Sequence, residues 1–176
     1  MSTERRGLLI VYTGNGKGKT TAALGLVLRA VGQGLRCCVI QFLKSARGRW
    51  GETVVAEKLG IEWHQMGRGF VFRPEAQTQD AALAREAWAL AQERILSGEI
   101  DLIVLDEFSY LFEFGWLNAA EVARWLSEQR PKQLHVVVTG RNMPEALVEM
   151  ADLVTEMVLV KHPYDAGIGA QAGIEF

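Results

Sequence analysis

The apolar run Leu8-Leu9-Ile10-Val11-Tyr12 passes directly into Thr13-Gly14-Asn15-Gly16-Lys17-Gly18-Lys19-Thr20-Thr21 and then into a helical pattern. A strand, a glycine-rich turn and a helix in that order form the context of a phosphate-binding loop. Gly14, Gly16 and Gly18 let the backbone turn tightly, so that successive N–H groups, including those of Asn15 and Lys17, can point at one anion. The helix that opens near Thr20 and Thr21 adds unpaired donors and the positive end of its dipole. Lys19 supplies a full positive charge, and the Thr20 hydroxyl can ligate a magnesium ion between phosphates. The usual pattern has glycine where this chain has Thr13, but Gly-Lys-Thr-Thr is intact, and the stretch predicts a nucleoside triphosphate site.

Strand-like runs recur at 7–13, 36–42, 61–66, 102–106, 134–139 and, more weakly patterned, 153–159. Helical patterns fill 20–32, 52–59, 76–96, 119–129 and 144–150. Leu102-Ile103-Val104-Leu105 and Val136-Val137-Val138 are continuously apolar, as strands are when helices cover both faces. The alternation predicts a three-layer α/β fold with a mainly parallel, about six-stranded sheet. With 176 residues, no linker and no internal repeat, residues 1–176 read as a single domain. A chain of this size buries about 70% of its unfolded surface, enough for a substantial core.

The 19 basic and 21 acidic residues give a net charge of −2, which argues against a general binder of nucleic acid or membrane surface. No apolar run approaches the ~20 residues of a membrane span, and the polar start has no secretory core. A cytoplasmic location is the expectation. Cys37 and Cys38, the two cysteines, are neighbours on a strand, so their side chains point to opposite faces and a mutual disulfide is not expected. No His, Cys or carboxylate group has the spacing of a zinc site.

In open α/β sheets ligands gather beyond the carboxyl ends of the strands, and that edge directs attention to particular loops. The fourth strand closes on Asp106-Glu107, and one of these acids is expected to reach a metal. The fifth ends in Thr139-Gly140-Arg141, where Arg141 either meets the triphosphate with its planar fork of donors or pairs with Glu145. Residues 44–52 set Lys44, Arg47 and Arg49 beside Trp50, which fits an anionic or flat ligand and equally a solvated loop. Phe70 and Phe72, flanked by Gly69 and Pro74, either pack beneath their loop or wall a hydrophobic ligand. Residues 160–176, rich in glycine and polar groups, are expected to lie across the strand-end face. His162 is a candidate polar contact there or a satisfied surface group, whereas His64 and His135 read as structural.

Four segments together resemble the P-loop ATP:corrinoid (cob(I)alamin) adenosyltransferase family over nearly the whole chain. They are the loop from Thr13 to Ala23, Val104-Leu105-Asp106-Glu107, Thr139-Gly140-Arg141, and the stretch from Val160 to Gly167 continued by Gln171 and Gly173-Ile174. The resemblance implies a P-loop NTPase-like fold in which a reduced corrinoid, cob(I)alamin or a cobinamide-type precursor, attacks C5′ of ATP. Inorganic triphosphate leaves, with Mg2+ or Mn2+ bound. It implies that Lys19 and Arg141 are catalytic, that Gly14 to Thr21 bind ATP, and that Thr20 and Glu107, supported by Asp106, hold the metal. It implies that Phe70 and Phe72 wall the lower face of the corrin, with His162 a further corrinoid contact. Some members have Trp where Phe72 stands, and many have a longer helical segment where only six residues precede Gly7 here. A flavoprotein reductant and a homodimer are further expectations of the resemblance.

Overall fold

The computed structural model describes residues 5–45, 50–69 and 77–175. Six strands form one sheet in the order β3-β2-β4-β5-β1-β6. They are β1 (Leu9–Thr13), β2 (Cys37–Ser45), β3 (Glu62–Gly67), β4 (Leu102–Asp106), β5 (His135–Thr139) and β6 (Leu153–Glu156). Every neighbouring pair is parallel. The helices are α1 (Lys19–Gly32), α2 (Gly51–Lys58), α3 (Gln77–Leu96), α4 (Tyr110–Glu113), α5 (Ala119–Gln129) and α6 (Glu145–Met150).

Side chains alternate across the sheet and divide the core in two. On one face Ala23, Val27 and Ala30 of α1 pack on Ile10, Val39, Val104 and Val137. On the other, α3, α4, α5 and α6 bury Ala87, Leu111, Leu126 and Leu147 against Leu9, Ile40, Leu105 and Val136. Cys37 belongs to the first cluster and Cys38 to the second, and both thiols are free. The continuous apolar strands are thus explained by helices on both sides.

Three elements differ from the sequence reading. β2 runs to Ser45, three residues beyond the expected end, because a register shift after Gln41 lets Ser45 pair with Gly67. α4 was not expected; it is a single turn, too short to show helical periodicity, and is fixed by packing. Its neighbour Phe108 is fully buried, with ring centroids 4.9 Å from Phe42 and 5.3 Å from Trp88. β6 stops at Glu156 rather than continuing to 159. Its pairing with β1 ends at Thr13, and the Met157 carbonyl then accepts from Gly16 N at 2.6 Å. The chain therefore leaves the sheet to cross the glycine-rich loop.

The start of β1 is tied down by polar contacts. Leu8 N donates to His135 Nδ1 at 3.1 Å, and Leu9 N to Asp152 Oδ2 at 2.8 Å. His135 is structural, as its sequence position suggested. No helix among the described residues is long and apolar enough to cross a membrane.

Candidate active site

Because β4, β5 and β1 are adjacent and parallel, Asp106, Thr139 and Thr13 end at one edge of the sheet. The loop after β1 lies against them. Gly14 has φ +93°, and a Cβ there would sit 2.5 Å from the Met157 carbonyl oxygen, so no other residue fits without moving the crossing chain. Lys19 folds back over its own loop and donates to the carbonyls of Gly14 and Gly16, both at 2.7 Å. Its pKa is lowered, first by burial and then by the Arg141 guanidinium, while Glu107 and Asp106 oppose the shift. Gly14 therefore serves the loop through its carbonyl, and Asn15 sits exposed at the crest. Lys17 is ion-paired with Glu175 of the C-terminal tail.

Asp106 is fully buried. Its Oδ1 accepts from Thr20 Oγ1 at 2.8 Å and from Thr139 Oγ1 at 2.7 Å, and its Oδ2 accepts from Gln41 Nε2 at 3.1 Å. Glu107 follows with φ 61°, an uncommon conformation for a residue with a side chain. The turn is held by Glu107 N donating to Thr139 Oγ1 at 2.9 Å. It aims the Glu107 carboxyl into the cavity, where Oε2 is buried without a hydrogen-bond partner. Burial and, after it, the charge of Asp106 push the Glu107 pKa up to about 7, against the pull of Lys44, Lys19 and Arg141.

The loop from Gly16 to Thr21, with Glu107 and Thr139, lines an open cavity of about 620 Å³. Lys19, Thr20, Lys44, Glu107, Tyr110 and Arg141 converge on it, and Gly173, Ile174 and Glu175 form part of its wall. Arg141 lines the cavity, and among the described residues it forms no ion pair with Glu145. Lys44 also has a defined place, donating to Glu52 Oε1 at 2.6 Å with its ammonium 4.8 Å from the centroid of Trp50. Cationic groups, loop N–H donors and a helix N-terminus around one cavity suit a polyanion. Thr20 Oγ1, the Asp106 carboxylate and the orphaned Glu107 Oε2 are hard oxygen donors, a set that fits Mg2+ or Mn2+.

His162 caps a 3-10 helix (Pro163–Ala166), its Nδ1 accepting from Tyr164 N at 3.1 Å. Phe70 and Phe72 lie outside the described residues, as do Arg47 and Arg49. Sequence spacing suggested no cluster of soft metal ligands, yet Cys38, Glu62 and His64 meet across β2 and β3, their ligand atoms within 4.8 Å of one another. The cluster is already satisfied. Glu62 binds Arg94 at 2.6 Å and His64 at 2.7 Å, and burial holds the Cys38 thiol protonated, at a pKa of about 12. The sequence reading overlooked Gln41, a buried amide in an otherwise apolar strand. One polar residue among Val39, Ile40, Phe42 and Leu43 was the signal that could have revealed it.

A phosphate-binding loop on a parallel sheet, with a buried acid ending a strand one removed from the loop's own, defines a P-loop nucleotide-binding protein. Comparison with known proteins narrows the class. Residues 5–176 match the family described as ATP:corrinoid adenosyltransferase BtuR/CobO/CobP, and the chain belongs to that family. It is 41% identical to the corrinoid adenosyltransferase of a Sinorhizobium species over 99% of this chain and 82% of that one. It is 42% identical to the corrinoid adenosyltransferase of Escherichia coli K12, covering 98% of this chain and 87% of the relative. Corrinoid adenosyltransferase CobA of Salmonella typhimurium is 39% identical with the same coverage, 98% and 87%.

Proposed function

We propose that this enzyme transfers the 5′-deoxyadenosyl group of ATP to the cobalt of a reduced corrinoid, cob(I)alamin or a cobinamide-type precursor, in synthesis or salvage of adenosylcobalamin. Family membership over the whole described chain supports the reaction, and the cavity over the glycine-rich loop is the observation that carries its chemistry. The cobalt(I) electron pair forms a bond to C5′ as the C5′–O5′ bond breaks, and the bonding electrons leave on triphosphate. No phosphoryl group moves and no water needs activating, so the protein's work is positioning and stabilising the leaving group.

In this reading the residues from Gly14 to Thr21 cradle the triphosphate. Lys19 exchanges its two carbonyl acceptors for phosphate oxygens. Arg141, exposed at the cavity rim, closes on the same charge with a bidentate fork. Thr20, Asp106 and Glu107 hold Mg2+ or Mn2+, which supplies further neutralisation of the polyphosphate. The raised pKa of Glu107 is what an acid awaiting a cation would have, since an approaching positive charge favours the ionised form. Phe70, Phe72 and His162 are assigned to the corrinoid on the family's pattern. A flavoprotein reductant that supplies cobalt(I), a homodimeric state and a cytoplasmic location complete the reading.

The deciding experiment supplies ATP, Mg2+ and chemically reduced corrinoid. Label in the ribose should pass into a 5′-adenosylated corrinoid, and γ-labelled ATP should yield labelled triphosphate. Corrinoid-dependent release of ADP and phosphate, with no label on cobalt, would return the protein to the general ATPases.

A further inference from the structure

Gln41 is a fully buried side chain on the α1 face of β2, two positions beyond Val39. Buried amides are retained where their donors and acceptors are met, and here the partners are specific. Oε1 accepts from Trp63 Nε1 at 3.2 Å and from Gln65 Nε2 at 3.3 Å, both on the edge strand β3. Nε2 donates to Asp106 Oδ2 at 3.1 Å on the opposite side. The indole N–H can only donate, so Trp63 fixes which end of the amide faces the edge strand. The other end, the donor, must then face Asp106.

This arrangement divides the labour of the Asp106 carboxylate. Oδ2 is held by Gln41, and Oδ1 is left to Thr20 and Thr139. A carboxylate with one oxygen anchored presents the other in a single orientation, as second-layer hydrogen bonds do for metal-binding groups generally. We infer that Gln41 is a positioning residue that locks the Asp106 carboxylate, and that Trp63 locks Gln41 in turn. The inference rests on the assignment of Asp106 and Thr20 to the metal–triphosphate site. It adds that the edge strand, well away from the loop, sets the geometry of that site.

The test measures Mn2+ binding to the full chain in the presence of ATP by electron paramagnetic resonance, with ATP binding in chelator as a second readout. A hydrogen bond to a charged group is worth about 1.5–3 kcal/mol, roughly 10–150-fold in affinity. Gln41→Leu should weaken Mn2+ binding by at least about 10-fold while metal-free ATP binding changes by less than about 2-fold. Trp63→Phe, which removes one of the two donors that hold Gln41 Oε1, should cost about 3-fold. Val39→Ala perturbs the same strand face without touching the network and should leave Mn2+ affinity unchanged, which separates positioning from loss of stability. A folded Gln41→Leu protein with the parent's Mn2+ affinity overturns the inference. Should that variant not fold, an unchanged affinity in Trp63→Phe overturns it. Absence of ATP-dependent Mn2+ binding in the parent refutes the underlying site assignment instead, and with it the inference.

Discussion

Gly140 offers a test of how the acids of this site are placed. It follows Thr139 with φ +152°, and a Cβ there would lie 2.0 Å from Ser109 Oγ, 2.6 Å from Ser109 Cβ and 2.9 Å from Ser109 N. The turn after β4 is thus pressed directly onto the end of β5. Phe108 N donates to the Thr139 carbonyl at 2.9 Å, and Gly140 N donates to the Tyr12 carbonyl at 3.1 Å. Gly140→Ala combines an unfavourable backbone conformation, about 1–3 kcal/mol, with overpacking of similar size. A total loss of about 2–6 kcal/mol follows, read as a lower urea midpoint at constant slope. Because the displaced turn carries Asp106 and Glu107, Mn2+ binding with ATP should fall as well. Ser109→Gly removes two of the three clashing atoms and should recover part of the loss in the double variant. The backbone N at 2.9 Å and the φ requirement would keep the remainder. Stability of Gly140→Ala within about 0.5 kcal/mol of the parent, or no coupling with Ser109→Gly, would refute the close-approach argument.

Lys19→Ala should fold normally and lose nearly all adenosyl transfer, at least about 10–150-fold from the lost charge-assisted bond alone; near-normal turnover would remove the loop from the mechanism. Phe70→Ala should melt almost as the parent does and lose far more activity from cob(II)alamin with a reductant than from prereduced cob(I)alamin; a large fall in Tm with equal losses in both assays would make Phe70 a core residue. Asp101 accepts from Arg36 N at 2.9 Å and pairs with Arg5 and Arg36, and the Arg36 N–H, ahead of its guanidinium and that of Arg5, holds its pKa far below the ordinary 3.8. Its stabilisation is therefore complete above about pH 4 and disappears as the pH falls, so Asp101→Asn should be destabilised at pH 7 and should approach the parent in acid melts. Glu107 in the metal-free fold binds its proton more tightly than the unfolded chain does, so the parent should lose stability relative to Glu107→Gln as pH rises from about 4.5 to about 7, measured in chelator.

Much of this fold was legible because its signals are local. Glycines at 14, 16 and 18 directly after an apolar strand admit few conformations, and uninterrupted runs such as Leu102 to Leu105 announce a sheet covered on both sides. The strand ends that carry Asp106, Thr139 and Arg141 followed from the rule that places ligands at that edge. What escaped was set by contacts distant in sequence. α4 is fixed by the burial of Phe108, packed on Phe42 and Trp88, and of Leu111 in the core, and no single turn carries a periodic pattern. β2 extends because β3 pairs with it after a register shift. Cys38, Glu62 and His64 meet through cross-strand pairing, which spacing along one chain does not encode.

The same distinction separates the two acids. Both stand at the end of an apolar strand, and the family resemblance implied Glu107 as the direct metal contact with Asp106 supporting it. The geometry gives them different equipment. Asp106 is saturated by three donors from three elements, including the Thr20 hydroxyl of the loop itself. Glu107 has a buried oxygen with no partner, a left-handed backbone and a proton it holds until about pH 7. A carboxylate already satisfied by hydrogen bonds suits the orientation of the threonine and its cation. One that is buried, unsatisfied and surrounded by Lys19, Lys44 and Arg141 suits a charge that arrives with the substrate. Left empty, such a site is unfavourable, because a buried acid without a partner stays ionised only at a desolvation cost. Filling it with a cation-bound triphosphate removes that cost. On this argument the strain at Glu107 favours the liganded state, and nucleotide should bind more tightly with the divalent ion than without it.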